Sequence, residues 1–142
     1  NPEFLGWVLE SPMTGYTEIF EETVKILHIP KTIQPLVLWR MMSQFNSLNH
    51  ERPDLTELAE TDAPNWGLTT EPTLLVQAAN DERLGDAHYL RLQKCHDAAG
   101  TSHILTTNVM EDLRHSGCAI HDRRDTVVGE WLDQKEIHSS SI

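Results

Sequence analysis

The chain has 142 residues and a formal net charge of −11, with 39% hydrophobic and 6% aromatic residues, which fits one folded domain or part of one. An acidic balance without clustered Lys and Arg excludes nucleic acid as a partner and weighs against anionic membrane surfaces. No apolar run approaches the roughly 20 residues of a spanning helix, so no membrane span is expected; two cysteines, Cys95 and Cys118, are too few for a disulfide scaffold.

The sequence opens at Asn1-Pro2-Glu3-Phe4 without a methionine or a signal-like segment, so it is expected to start partway through a longer protein. Trp7-Val8-Leu9 is a short apolar run stopped by Pro12 and predicts a buried strand. A helix is expected from about Tyr16 to His28, with Phe20, Val24 and Leu27 on one face, Ile19 and Ile26 beside it, and Glu18, Glu21 and Glu22 early, where the helix dipole favours acid. Pro30 ends it. A second helix starts at Pro35, a good first-turn residue, and carries the stripe Leu38, Met41, Met42 and Phe45 to Leu48. Residues 49–72 are polar and acidic, a long connection with a short helix around Asp54 to Glu60. A connection of that length is usually functional or lid-like.

Thr73 to Ala79 is nearly continuous apolar sequence, which predicts a central strand of a parallel sheet. Asn80 to Gly85 is a polar loop. Asp86 is placed to cap a helix from Ala87 to Ala98, with Tyr89, Leu92 and Cys95 in line and Gly100 beyond its end. His103 to Thr107 reads as another strand, Asn108 to Gly117 as a loop, and Ala119 to Gln134 as a last helix with Ile120, Val127, Val128, Trp131 and Leu132 toward the core. The tail from His138 is Ser-rich and expected to fray. Strands alternating with helices imply α/β architecture with a parallel sheet.

In such sheets, ligands collect beyond the C-terminal strand ends. Asp81 follows one strand there and His115 the next. If the strands are parallel neighbours, an acid and an imidazole meet at one rim although they lie far apart in sequence. A carboxylate on one ring nitrogen fixes the tautomer and leaves the other as a general base. Glu82 and Asp86 compete with Asp81 for the acid role, and an ordinary loop histidine is the alternative for His115. His115, Cys118 and His121 recur at three-residue spacing, followed by Asp122. This is no recognised zinc pattern, so no metal is assigned and Cys118 is read as a small apolar residue. No cofactor is assigned either. His28, His50, His88, His96 and His103 are read as surface or helix-end residues.

The stretch Pro72-Thr73-Leu74-Leu75-Val76-Gln77-Ala78-Ala79-Asn80-Asp81-Glu82-Arg83 resembles the penultimate strand and acid loop of the α/β-hydrolase superfamily. His115-Ser116-Gly117 and the helix carrying Val128-Gly129-Glu130-Trp131-Leu132 resemble its histidine loop and last helix. Trp7 to Pro12 is similar to the strand that follows the nucleophile helix in esterases and lipases of this fold. The resemblance implies the C-terminal half of a hydrolase domain over residues 1–142: a helical cap or lid and connection at 13–71, the acid and histidine half at 72–134, and a tail at 135–142. It implies a partial parallel sheet with flanking helices, Asp81 and His115 as triad acid and base, and an ester or related acyl substrate. The two helices between Tyr16 and Leu48 are expected to shape an acyl pocket.

No Gly-x-Ser-x-Gly occurs, so the nucleophile is expected outside this sequence, and the chain alone is expected to be catalytically silent. Ser11 precedes Pro12 and lacks flanking glycines. The strand Trp7 to Leu9 is expected to present an unpaired apolar edge, covered by a missing N-terminal half or by a second copy. Free thiols suit a cytoplasmic setting. The rival expectation is a non-catalytic binding module that kept the sheet and lost the chemistry.

Overall fold

A computed structural model describes residues 5–65, 67–115 and 120–139, with backbone alone for 136–139. Phe4, Trp66, Ser116, Gly117, Cys118, Ala119 and the last three residues, on which several expectations fall, lie outside the described residues. The elements run β1 (Trp7–Glu10), α1 (Thr17–Ile26), α2 (Gln34–Leu48), β2 (Thr73–Ala78), α3 (Ala87–Ala98), β3 (Leu105–Met110) and α4 (Asp122–Ser139), with short 3-10 turns at Leu58–Thr61 and Ser102–Ile104. The chain divides into two compact units, residues 1–13 with 68–142, and residues 14–67.

The first unit is a mixed α/β layer structure on a three-stranded parallel sheet of order β1-β2-β3, with Trp7 opposite Thr73 and Thr73 opposite Leu105. Every residue of β2 is buried, because a strand covered on both faces loses polar alternation. Leu74, Val76 and Ala78 point to one face, where Met110, Leu113 and Trp131 complete a cluster flanked by Val127 and Val128. Trp131 belongs to α4, so that helix covers this face. On the other side, Gln93 of α3 donates from Nε2 to Thr107 Oγ1 at 3.2 Å. Thr107 pairs with Leu75, and alternation places both opposite the Leu74 cluster. β1 enters through Gly6, where a Cβ would meet the Pro72 carbonyl oxygen at 2.2 Å and the Trp131 ring at 2.9 Å; only glycine permits that approach.

The elements differ from expectation at several points. The last strand starts at Leu105 rather than His103, because Ser102–Ile104 close a 3-10 turn with Ile104 N–H donating to Thr101 O at 3.1 Å. It then runs through Asn108 and Val109 to Met110, whose side chain is buried. On α3 the buried positions are His88, Leu92 and His96, spaced i, i+4, i+8, while Tyr89 and Cys95 are half-buried. Two histidines read as surface or helix-end residues are therefore interior, because they share the i, i+4 stripe of Leu92 that α3 buries. Asp86 has helical backbone and makes no side-chain cap. Ile120 and Leu132 are exposed; Trp131 supplies the contact instead.

In the second unit, Met42, Leu55 and Leu58 form a small core, with Tyr16, Phe20, Leu38, Met41 and Phe45 packed around it. The expected stripe of α2 thus faces inward. On α1 only Val24 is buried, and Ile26 and Leu27 are exposed rather than core. The N-terminus of α1 is held by Asp62, whose Oδ1 accepts the amides of Tyr16 at 2.7 Å and Thr17 at 3.3 Å and whose Oδ2 accepts the Thr17 hydroxyl. Asn46 and Leu55 exchange two hydrogen bonds, Asn46 Nδ2 to Leu55 O at 2.8 Å and Leu55 N–H to Asn46 Oδ1 at 3.1 Å. They dock the long connection onto α2. The short helix expected around Asp54 to Glu60 is the 3-10 turn Leu58–Thr61, capped reciprocally by Glu57 and Glu60.

Candidate functional site

β2 and β3 run parallel with Ala78 opposite Met110, and Ala79 N–H continues the ladder to Met110 O at 2.8 Å. Both chains therefore leave the sheet at one rim, beyond the C-terminal strand ends. The segment after β2 folds back at once. Gly85 N–H donates to Asp81 O at 2.9 Å, and Gly85 takes the left-handed φ of 61° that closes the turn. The Asp81 side chain joins in, its Oδ1 accepting the amides of Arg83 at 2.9 Å and Leu84 at 2.8 Å. Aspartate favours such positions because its carboxylate reaches backbone N–H groups two residues ahead.

The segment after β3 is anchored differently. Leu113 is 3% exposed and belongs to the Leu74 cluster, so packing pins this loop two residues before His115. The His115 imidazole then lies over the Asp81 turn, with Nδ1 2.8 Å from Asp81 Oδ2. The Asp81 side chain is fully buried, and that of His115 is 23% exposed. Burial pushes the Asp81 carboxyl up, but the Leu84 and Arg83 amides and the His115 ring outweigh it and hold the group below its ordinary 3.8. Asp81 is thus ionised at neutral pH and can only accept. Nδ1 must be the donor, which in the neutral ring leaves the lone pair on Nε2. Among the described residues nothing is bonded to Nε2.

Of the three acids in this segment, Asp81 alone meets the imidazole; Glu82 and Asp86 are exposed. Two further contributors were not foreseen. The Arg83 and Leu84 amides saturate Oδ1, a consequence of the turn. Gln77, buried on β2, places Nε2 3.1 Å from Ala78 O and 3.5 Å from Asp81 Oδ2, and its Oε1 is buried with no hydrogen-bond partner among the described residues. Ser11 takes a left-handed φ of 41° at the end of β1. Its amide donates to Val76 O at 2.9 Å, and its hydroxyl lies 3.4 Å from the Ala78 amide, so it terminates the β1–β2 ladder.

Chemically, an ionised and fully hydrogen-bonded carboxylate orients an imidazole whose far nitrogen can take and return a proton. Among the described residues no group of three or more His, Cys, Asp or Glu is placed to hold a metal ion. His121, considered with Cys118 as a ligand, caps α4 instead: its Nδ1 accepts the Arg124 amide at 3.1 Å and its Nε2 lies 3.5 Å from Asp112 Oδ2. The second unit carries a cleft of its own of about 710 Å³, lined among others by Tyr16, Phe45, Leu55, Arg52 and Glu60. Among the described residues no helix is long and apolar enough to cross a membrane. Comparison with protein-family models, with curated proteins and with solved structures returned no match.

Proposed function

We propose that this chain supplies the acid and the base of a serine hydrolase of the α/β-hydrolase type that cleaves carboxylic esters or related acyl bonds. The observation that carries the reading is the 2.8 Å contact from His115 Nδ1 to Asp81 Oδ2, at the C-terminal rim of a parallel sheet and in the family's order of acid before histidine. No Gly-x-Ser-x-Gly occurs in these residues, so the nucleophilic serine comes from outside them. Residues 14–67, inserted between β1 and β2, are the cap in this reading.

In the reaction, the serine Oγ attacks the acyl carbonyl carbon while His115 Nε2 takes its proton. The tetrahedral adduct then collapses, the ester C–O bond breaks, and Nε2–H protonates the departing alkoxide. Water repeats the sequence on the acyl-enzyme, with Nε2 taking its proton and returning one to serine. Asp81 stays ionised throughout and steadies the imidazolium. The test is turnover of p-nitrophenyl esters by the full-length protein and by its His115→Ala variant. Loss of the triad base is expected to lower kcat by about 10⁴-fold or more, and an unchanged rate removes His115 from the mechanism.

The absence of the nucleophile motif also favours a second reading, a non-catalytic module that kept the sheet and the Asp81–His115 pair as structure. Covalent labelling of the full-length protein by a fluorophosphonate separates the two. Labelling supports the hydrolase, and none under any condition supports the module.

A further inference from the structure

The overall charge weighs against an anionic surface, but the charge is not evenly spread. The sequence holds 22 Asp and Glu residues, and none of them lies between Thr23 and His50. That stretch carries three cations, Lys25, Lys31 and Arg40. It also carries strongly exposed apolar side chains: Leu48 at the far end of α2 is 77% exposed, and nearer the α1–α2 turn Ile26 is 69%, Leu27 63%, Leu36 62% and Trp39 65% exposed. Acid-free, cationic and apolar character thus coincide in one segment of an otherwise acidic chain.

The local structure gathers these residues at a corner. α1 ends at Ile26, and the chain turns through His28, left-handed at φ 51°, and Pro30 into α2. On α2, the buried stripe Leu38, Met41, Met42 and Phe45 faces the small core. Leu36, Trp39 and Arg40, at i, i+3 and i+4, share the opposite, solvent face. Lys25 makes a 3.9 Å exposed pair with Glu22, which contributes little. Lys31 and Arg40 have no acidic partner among the described residues.

We propose that this α1–α2 corner docks on a phospholipid bilayer surface containing anionic headgroups. Ile26, Leu27, Leu36 and Trp39 enter the headgroup layer, and Lys31 and Arg40 meet lipid phosphates. Trp, Leu and Ile beside Lys and Arg are the composition of interfacial segments. Side chains nearly two-thirds exposed, beside two cations without an acidic partner among the described residues, suit insertion among anionic headgroups. The net charge of −11 does not prevent contact, because acids farther away than the Debye length of about 8 Å at physiological salt are screened, and Glu22, one turn from Ile26, is paired with Lys25 at 3.9 Å. The proposal goes beyond the hydrolase reading and does not depend on it.

Co-sedimentation of the chain with phosphatidylcholine vesicles containing phosphatidylglycerol tests this directly. The parent is expected to sediment with the vesicles. Leu36→Glu with Trp39→Glu is expected to lower the partition coefficient by about a hundredfold or more, and Lys31→Gln with Arg40→Gln by about thirtyfold. Ile120→Glu, a like change at an exposed apolar residue outside the segment, is expected to leave it unchanged. All variants are surface changes and are expected to keep the parent's far-UV circular dichroism. Failure of the parent to bind vesicles overturns the proposal, as does an equal loss with Ile120→Glu. It is equally overturned if the lipid-free chain self-associates through this corner, so that Leu36→Glu with Trp39→Glu releases monomers while vesicles bind neither form.

Discussion

The Asp81→Asn substitution probes the site most sharply, because it keeps the shape and removes only the charge. In the parent, Asp81 Oδ1 accepts two amides and Oδ2 the imidazole, at 2.8 to 2.9 Å. All three are charge-assisted bonds, each stronger by about 1 kcal/mol than a neutral equivalent. Asparagine can keep its oxygen on the Arg83 and Leu84 amides, but its NH₂ then faces His115 Nδ1. That nitrogen must become the acceptor, and the ring proton moves to Nε2. The expected cost is about 1–3 kcal/mol at neutral pH, partly offset because a buried charge no longer has to be desolvated. Urea unfolding measures it, and ¹⁵N shifts of the His115 ring report the tautomer. The pH dependence has a definite sign. Asp81 titrates at 3.8 when unfolded and lower when folded, so the unfolded chain binds the proton first as pH falls. The parent's advantage over the variant is therefore complete above the unfolded value and disappears as pH drops through the folded one. Equal stability at neutral pH would refute the reasoning, and so would a difference that persists unchanged below the folded value.

Two further predictions concern groups outside the Asp81–His115 pair. His96 is fully buried on α3, with Nδ1 2.9 Å from Thr101 Oγ1. Burial holds its pKa below the ordinary 6.5, against an opposing pull from Asp97. Its contribution to stability is full above 6.5 and falls as pH drops through that value toward the folded one, so His96→Leu is expected to flatten the loss of urea stability between neutral pH and about pH 5. Thr101 Oγ1 still reaches His96 O at 3.3 Å, and the replacement strands no hydroxyl. Asp62→Ala removes the carboxylate that accepts the Tyr16 and Thr17 amides at the start of α1, a change that costs about 0.5–2 kcal/mol at helix N-termini. It is expected to raise amide hydrogen exchange across residues 14–67 while residues 105–110 of β3 keep the parent's protection.

The sequence revealed most where a single physical cause acts along a short stretch. β2 was legible because a strand buried on both faces must be apolar almost throughout, and Thr73 to Ala78 is. The inward stripe of α2 was legible from its spacing and from Pro35. Misreadings occurred where one element's surroundings decide. His88 and His96 look like solvent residues until α3 is seen to bury the stripe they share with Leu92. Leu27 looks like core until α1 is seen to end at Ile26. The start of β3 is not legible locally, because His103 and Ile104 suit a strand, yet the Thr101 carbonyl captures Ile104 in a 3-10 turn. Asp62 could not have been found at all, since its partners Tyr16 and Thr17 lie 46 and 45 residues away and nothing local marks a remote cap.

The site shows the same division in miniature. The pairing of Asp81 with His115 was inferable because both residues follow strands, and parallel neighbours in register must release their chains at one rim. What makes the pair rigid was not inferable. On one side, the carboxylate is held by its own turn, a local device closed by Gly85. On the other, the imidazole is held by Leu113, whose side chain is fixed in the Leu74 cluster by contacts with two strands and α4. The two constraints are independent. Loosening the core at Leu113 would free the ring while leaving the carboxylate in place, whereas opening the Gly85 turn would do the reverse. The hydrogen bond that orients the ring exists only while Nδ1 and Oδ2 stay within hydrogen-bond distance, so the alignment of this pair depends both on a five-residue turn and on the packing around Leu113.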